Sequence, residues 1–198
     1  EVTHLKNFMD AGGELMIMGQ DIGNDIFGTN APSAHAQSFY NNYLHANFVQ
    51  DAANFFLVKG VTGDPISDGM QFILGSVYDR SLDIITPFDN SANGCFMYFS
   101  APNWGAIHAE TSLYRMIYMT FALEQVDQIA TRDTILARSL NWLNGAPVGI
   151  SGSEILIEEF QLKQNFPNPF NPKTKIQYVL NHTGMEQTSL VIFNALGQ

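Results

Sequence analysis

The sequence predicts a three-layer α/β domain around a mostly parallel sheet, followed by part of a β-sandwich. Three observations carry that expectation. Up to about residue 145, stretches with helical spacing alternate with short apolar runs. Those runs are apolar at consecutive positions, the pattern of strands covered on both faces. Beyond about residue 158, a proline-rich segment gives way to strict apolar–polar alternation, the pattern of a half-buried strand.

Residues 2–11 read as a helix because Val2, Leu5, Phe8 and Met9 recur at helical spacing, and Gly12-Gly13 ends it. Residues 14–18 form a short apolar run, read as a buried strand, and 19–32 read as loop. Residues 37–49 read as a helix with Phe39, Tyr40, Tyr43, Leu44 and Phe48 on one side. Residues 55–61 are a strand candidate, and 63–69 a turn built from Asp64, Pro65, Asp68 and Gly69. Ile84-Ile85 and residues 95–99 are further strand candidates, with Trp104 in a loop beyond them. Residues 115–123, with Met116, Ile117, Tyr118, Met119 and Phe121, are expected to be a strand covered on both faces. Thr131 is the expected N-cap of a closing helix over 132–144. Ile135, Leu136, Leu140 and Leu143 are expected to face inward, with Gly145 as the stop.

Residues 146–157, with Pro147, Gly149 and Gly152, read as a linker between a domain at 1–145 and a second at 158–198. In the second, Pro167, Pro169 and Pro172 fix their own φ and push the residue before each toward extended backbone. Residues 165–172 should be a stiff, non-helical loop with Phe166 and Phe170 against the following strand. From Thr174, Ile176, Tyr178 and Leu180 share one strand face. A further strand is expected over 188–193, after a turn at 181–184.

Composition bounds the function. A chain of 198 residues holds one medium domain and part of another. The net charge of −10 opposes binding to nucleic acid or to an anionic lipid surface. No apolar run reaches the roughly 18 residues of a membrane-spanning helix. Cys95 is the single cysteine, so core burial rather than an internal disulfide must supply stability. Its neighbours Phe96, Met97, Tyr98 and Phe99 point to a buried strand.

Two stretches resemble known families. Phe160-Gln-Leu-Lys-Gln-Asn-Phe-Pro-Asn-Pro-Phe-Asn-Pro-Lys-Thr-Lys-Ile-Gln-Tyr-Val-Leu180 closely resembles the opening of the C-terminal sorting domain of proteins exported by type IX secretion, F-x-L-x-Q-N-Y-P-N-P-F-N-P-x-T-x-I-x-Y. The resemblance implies a bacterial protein delivered to the cell surface or the medium, with the secretion machinery as partner. It also implies that this domain continues beyond Gln198. Modules carrying such a signal commonly accompany secreted peptidases and adhesin-like proteins, so the resemblance leaves room for a peptidase upstream. The missing N-terminal signal peptide says nothing about compartment.

The second resemblance covers about 1–145. An apolar strand followed by Gly19-Gln20-Asp21-Ile22-Gly23 is similar to the G-x-C-x-G elbow of class I glutamine amidotransferase-like domains, which have a flavodoxin-like layered fold. The later strand and closing helix with Asn141-Trp142-Leu143 follow the same order, which implies that the first strands of that fold lie upstream of Glu1. That family's chemistry needs a thiolate at the elbow and a His two residues before a Glu. Here Asp21 stands at the elbow. His108-Ala109-Glu110 has H-x-E spacing, but alignment on the closing helix puts Ala122 and Glu124 at those positions and leaves no base. The resemblance therefore implies a non-catalytic module.

Weaker alternatives stay open. A carboxylate nucleophile Asp21 with His108 and Glu110 would make a hydrolase; otherwise Asp21 caps the turn by accepting backbone N–H groups. Asp89, Ser91 and Asn93 follow the first half of a calcium loop, though Ser100 stands where its closing Glu belongs. A polar turn between strands is the competing reading, and Asn24 and Asp25 beside Asp21 form a second acidic loop. His4, His35, His45, His108 and His182 show no metal-ligand spacing. Trp104 in a loop would suit a carbohydrate-binding module; covering a sheet end is its structural alternative. No glycine-rich phosphate loop is present.

Overall fold

The computed structural model describes residues 2–28, 33–53, 55–75, 81–99 and 103–145, and farther on 161–162, 173, 175 and 178–179. The chain divides into two compact units, Glu1–Ile150 and Ser151–Gln198. The first opens with α1 (Val2–Asp10), β1 (Leu15–Met18), α2 (Ile22–Phe27) and α3 (Ala34–Asn42). Then β2 (Ala46–Ala53), β3 (Leu57–Gly60), β4 (Gln71–Ile73), β5 (Leu82–Pro87), β6 (Ala92–Tyr98), β7 (Trp104–Glu110) and β8 (Arg115–Met119) follow with no α-helix between them among the described residues. A 3-10 turn at Leu123–Gln125 and α4 (Ile129–Leu143) close the unit.

The eight strands form one mixed, strongly curled sheet in the order β1-β8-β7-β6-β3-β4. It forks at the start of β7, where β5 pairs through Ile85 and Trp104 and carries β2 on its other edge. Register shifts in the β2–β5 and β6–β7 ladders add to the curl. Only β1–β8 is parallel among the described pairings of this unit; the others are antiparallel. The expectation of a three-layer fold on a mostly parallel sheet is therefore wrong: the domain is mostly β, with few helices. Parallel neighbours need a crossover of a dozen or more residues, and only five residues separate β6 from β7 and four separate β7 from β8.

The continuous apolar runs have a different cause. β8 sends Met116 and Tyr118 into one buried cluster and Ile117 and Met119 into another. The first cluster holds Met9 of α1 and Phe39 and Tyr40 of α3. The second holds Ile135, Trp142 and Leu143 of α4 against Phe96, Tyr98 and Phe121. A strand covered on both sides is apolar throughout whatever the direction of its neighbours.

Local departures from the sequence reading have identifiable causes. The loop expected over 19–32 contains α2. The helix expected over 37–49 starts earlier, where Ser33 Oγ accepts from Ala36 N at 3.2 Å, and ends at Tyr43. His45 takes φ 49°, and the chain then runs extended as β2. Its ring bonds Asp89 at 2.7 Å and Tyr114 at 2.9 Å, so tertiary contacts override the helical spacing. β4 was not foreseen, and Trp104 opens a strand rather than lying in a loop. The N-cap of α4 is Gln128 rather than Thr131, and Leu136 and Leu140 are exposed while Ser139 and Trp142 are buried. Gly145, at φ 69°, does end α4.

In the second unit, β9 (Gln161–Leu162) pairs antiparallel with β10 (Tyr178–Val179). The linker expected at 146–157, the loop expected at 165–172 and the strand expected over 188–193 lie outside the described residues. No described helix is long and apolar enough to cross a membrane.

A Cβ on Gly60, where β3 meets β6, would collide with the backbone carbonyl of Ser67. That carbonyl belongs to a turn tied down by Val61 N donating to Ser67 Oγ at 3.0 Å, so it cannot swing away. Gly60→Ala is expected to destabilise the unit by about 2–4 kcal/mol, read as a lower urea midpoint. A change within about 0.5 kcal/mol would show that the turn yields.

Candidate acidic site

Three carboxylates meet where β1, β2 and β5 come together. β1 ends beside β8, with Gly19 N donating to Met119 O at 3.1 Å. The chain turns through Gln20 and Asp21 into α2. Asp83 N of β5 donates to Gln20 O at 3.0 Å and ties β5 to that turn. Within β5, Leu82 and Ile84 belong to the α4 cluster, so strand alternation sends Asp83 to the opposite face, beneath α2. Asp51 falls inside the register shift of the β2–β5 ladder, between the Gln50–Ile84 and Ala53–Leu82 pairs. One oxygen from each of Asp21, Asp51 and Asp83 lies within 4.8 Å of the other two.

Asp83 is fully buried. Its Oδ2 accepts from Gly23 N at 2.6 Å and Asn24 N at 3.3 Å, whereas Oδ1 has no hydrogen-bond partner. Gly23 is required for the close approach, because a Cβ there would meet Phe48, the Tyr40 hydroxyl and Asp83 Oδ2. Burial pushes the Asp83 carboxyl up to about 7; the Gly23 and Asn24 amides oppose the rise, and the charges of Asp51 and Asp21 add to it. Two full charges within 4.8 Å of each other repel by at least about 3.5 kcal/mol at an effective dielectric of about 20. Three ionised carboxylates here therefore call for a proton or a cation. The two outer ones are oriented: Ser81 Oγ donates to Asp51 Oδ1 at 2.6 Å and Gln20 Nε2 to Asp21 Oδ2 at 3.3 Å. Thr120 Oγ1 donates to the Asp83 carbonyl at 2.7 Å, which leaves the Tyr98 hydroxyl to donate to Thr120 at 2.8 Å.

The residues singled out from sequence lie apart. Asp21 occupies the N-cap position of α2 but makes no capping bond; Asp83, 60 residues from Gly23, does the capping. The expectation that Asp21 accepts the turn's backbone N–H groups is corrected accordingly. His108 lies on the α4 face of the sheet, its Nε2 2.8 Å from Asp64 Oδ2 and its ring 4.6 Å from that of Trp142. Glu110 pairs with Arg115 at 2.6 Å, and Arg115 also donates to Trp142 O. Asp21 and the His108–Glu110 pair thus serve different faces. Burial works to raise the Asp64 carboxyl, but His108 and the bonds from Ser67 more than offset it and hold it below the ordinary value.

The remaining candidates are engaged in structure. Asp89 Oδ2 pairs with His45, and its Oδ1 accepts from Ser91 N at 2.8 Å, which makes a braced turn. Asn93 is an exposed residue of β6 opposite His108. Asn24 and Asp25 lie within α2. Cys95 is fully buried, and burial pushes its thiol well up. Trp104 is half-buried against Gly94, where a Cβ would strike its ring. Asp51 and Asp83 were missed from sequence, and Asp64 was read as a turn residue but not as the partner of His108. The available signal was Asp83 itself, a charged residue inside the apolar run Leu82–Ile85.

No protein-family model and no curated protein matches the chain. Among solved structures, the mmIFT52 N-terminal domain is similar with a TM-score of 0.50 and 17% identity, over 72% of this chain and 69% of that one. The beta-galactosidase from Rahnella sp. R3 is similar with a TM-score of 0.49 and 15% identity, over 74% of this chain and 21% of the enzyme's. At such identity the first likeness is one of fold alone, and the second carries no argument.

A carboxyl raised from 3.8 to about 7 stays protonated in the folded chain through a window where the unfolded chain has released its proton. Its contribution to stability therefore falls as pH rises from about 4 to about 7 and is level above that. The ionisable groups around it are Asp21, Asp51 and the phenols of Tyr40, Tyr98 and Tyr118, all three raised by burial. In buffer free of divalent cations, Asp83→Asn is expected to be more stable than the parent by about 2 kcal/mol at pH 8. The gap should close toward pH 5 in urea unfolding. An equal difference at both pH values would exclude titration of Asp83 in that window.

Proposed function

We propose that the chain is a piece of an exported bacterial protein. Residues 1–145 act as a non-catalytic structural or binding module. Residues 158–198 act as a type IX sorting domain recognised by the secretion machinery, which delivers the protein to the outer surface or the medium. The observation that carries this reading is the run from Phe160 to Leu180, in which Asn165, Pro167, Asn168, Pro169, Phe170, Asn171 and Pro172 stand in the order of the sorting motif. The antiparallel pairing of Gln161–Leu162 with Tyr178–Val179 supports a β-domain around that loop.

The absence of catalysis in the first unit is supported by its chemistry. No thiol stands at the turn after β1, and Cys95 is buried in the core. Asp21 keeps company with Asp51 and Asp83 rather than with His108 and Glu110. Asp64, not a substrate or nucleophile, occupies Nε2 of His108. The negative charge supports a partner other than nucleic acid.

The test expresses the full-length gene product in a host with type IX secretion and determines the C-terminal residue of the mature protein by mass spectrometry. Mature protein in the medium or at the surface, ending before about Phe160, is the expected result. Replacing Pro167, Pro169 and Pro172 together by Ser should retain the protein inside the cell. An intact parent protein found only inside the cell would overturn the proposal.

A further inference from the structure

The geometry points to a calcium site formed by Asp21, Asp51 and Asp83, and we propose that one Ca²⁺ binds there. Calcium takes oxygen ligands at about 2.3–2.6 Å, so two ligands on one ion stand up to about 5 Å apart. The carboxylate oxygens, all within 4.8 Å of one another, fall inside that limit. Magnesium, at about 2.0–2.1 Å, demands near-ideal octahedral geometry and holds its waters more firmly.

The independent observation is Asp83 Oδ1. It is buried, unpartnered, and belongs to a carboxylate whose other oxygen is held by two backbone amides. A buried polar atom without a partner is rare and destabilising. A cation bound through Oδ1 would give it a partner and cancel the repulsion of the three carboxylates together. Asp21 and Asp51 are half-buried, which gives the ion a path from solvent. Their orientation by Gln20 and Ser81 sets the cluster before the ion arrives. The sequence-level candidate around Asp89 lacks such an atom, because both its oxygens are already engaged.

The experiment uses the full 198-residue chain stripped with EDTA, titrated with CaCl2 by calorimetry and followed by thermal unfolding. One Ca²⁺ per chain should bind, with a saturating rise in Tm. Asp21→Asn and Asp51→Asn should each weaken binding at least about tenfold, because each removes a charged ligand. In EDTA both should unfold at or above the parent's temperature, a result that mere loss of structure would not give. Asp83→Asn should abolish binding; if it fails to fold, the two half-buried positions still decide. Asp89→Asn should bind as the parent does. No heat and no Tm shift at about 10 mM CaCl2, above the weakest calcium sites, would overturn the proposal. So would binding that survives both Asp21→Asn and Asp51→Asn, or tighter binding of Mg²⁺ than of Ca²⁺.

Discussion

Asp83 joins more of the first unit than any single apolar contact does. Its N–H reaches the turn after β1, its carbonyl takes the hydroxyl of Thr120 beyond β8, and its carboxylate caps α2. Three stretches remote in sequence, the turn into α2, β5 and Thr120, are fixed by the backbone and side chain of one residue. A fully buried carboxyl with no cationic side chain beside it among the described residues is an expensive way to do this. Its compensation is positional: β5 must sit where the amides of Gly23 and Asn24 can reach it, and the fork of the sheet follows from that placement. Apolar residues fill the space on either side, but they have no directionality with which to choose it.

A second buried polar tie does similar work on the other face. Asp64 gathers the amides of Ile66 and Ser67 and the hydroxyl of Ser67 with one oxygen and holds His108 with the other. The turn between β3 and β4 is thereby fastened to the middle of β7, beneath Trp142. His45, itself buried, makes a comparable tie, linking Asp89 to Tyr114. Each of these carboxylates is pinned at a tight turn or strand end, where the chain changes direction and the backbone has amides to spare.

Much of the local structure was legible in sequence. The helical spacing of Val2, Leu5 and Met9, the run from Leu15 to Met18 and the stop at Gly145 correspond to real elements. Topology was not legible, because an apolar run records burial on two faces and carries no sign of strand direction. Helix length failed at His45, where two side-chain partners distant in sequence hold a left-handed backbone that spacing alone cannot foresee. The acidic site was half legible. Asp21 stood out beside a turn, but its companions Asp51 and Asp83 reach it only through a ladder irregularity and a fork in the sheet. His108 and Glu110 were conspicuous as a pair and are separately engaged, one with Asp64 and one with Arg115.

The parallel ladder between β1 and β8 has a temporal side. Leu15 to Met18 find their partners only at Met116 to Met119, near the far end of the same unit. On a chain that emerges or is threaded in order, β6, β7 and β8 can zip as successive hairpins from local contacts, while β1 must wait for the last of them. Until then its four uncharged apolar residues lack β8, and in the sheet of the described residues β1 keeps one outer edge. An unpaired apolar strand with no charge or proline to guard it is the sort of segment that other chains capture. The interval between making residue 18 and making residue 119 is therefore one in which β1 is open to misassembly and a holding chaperone would matter.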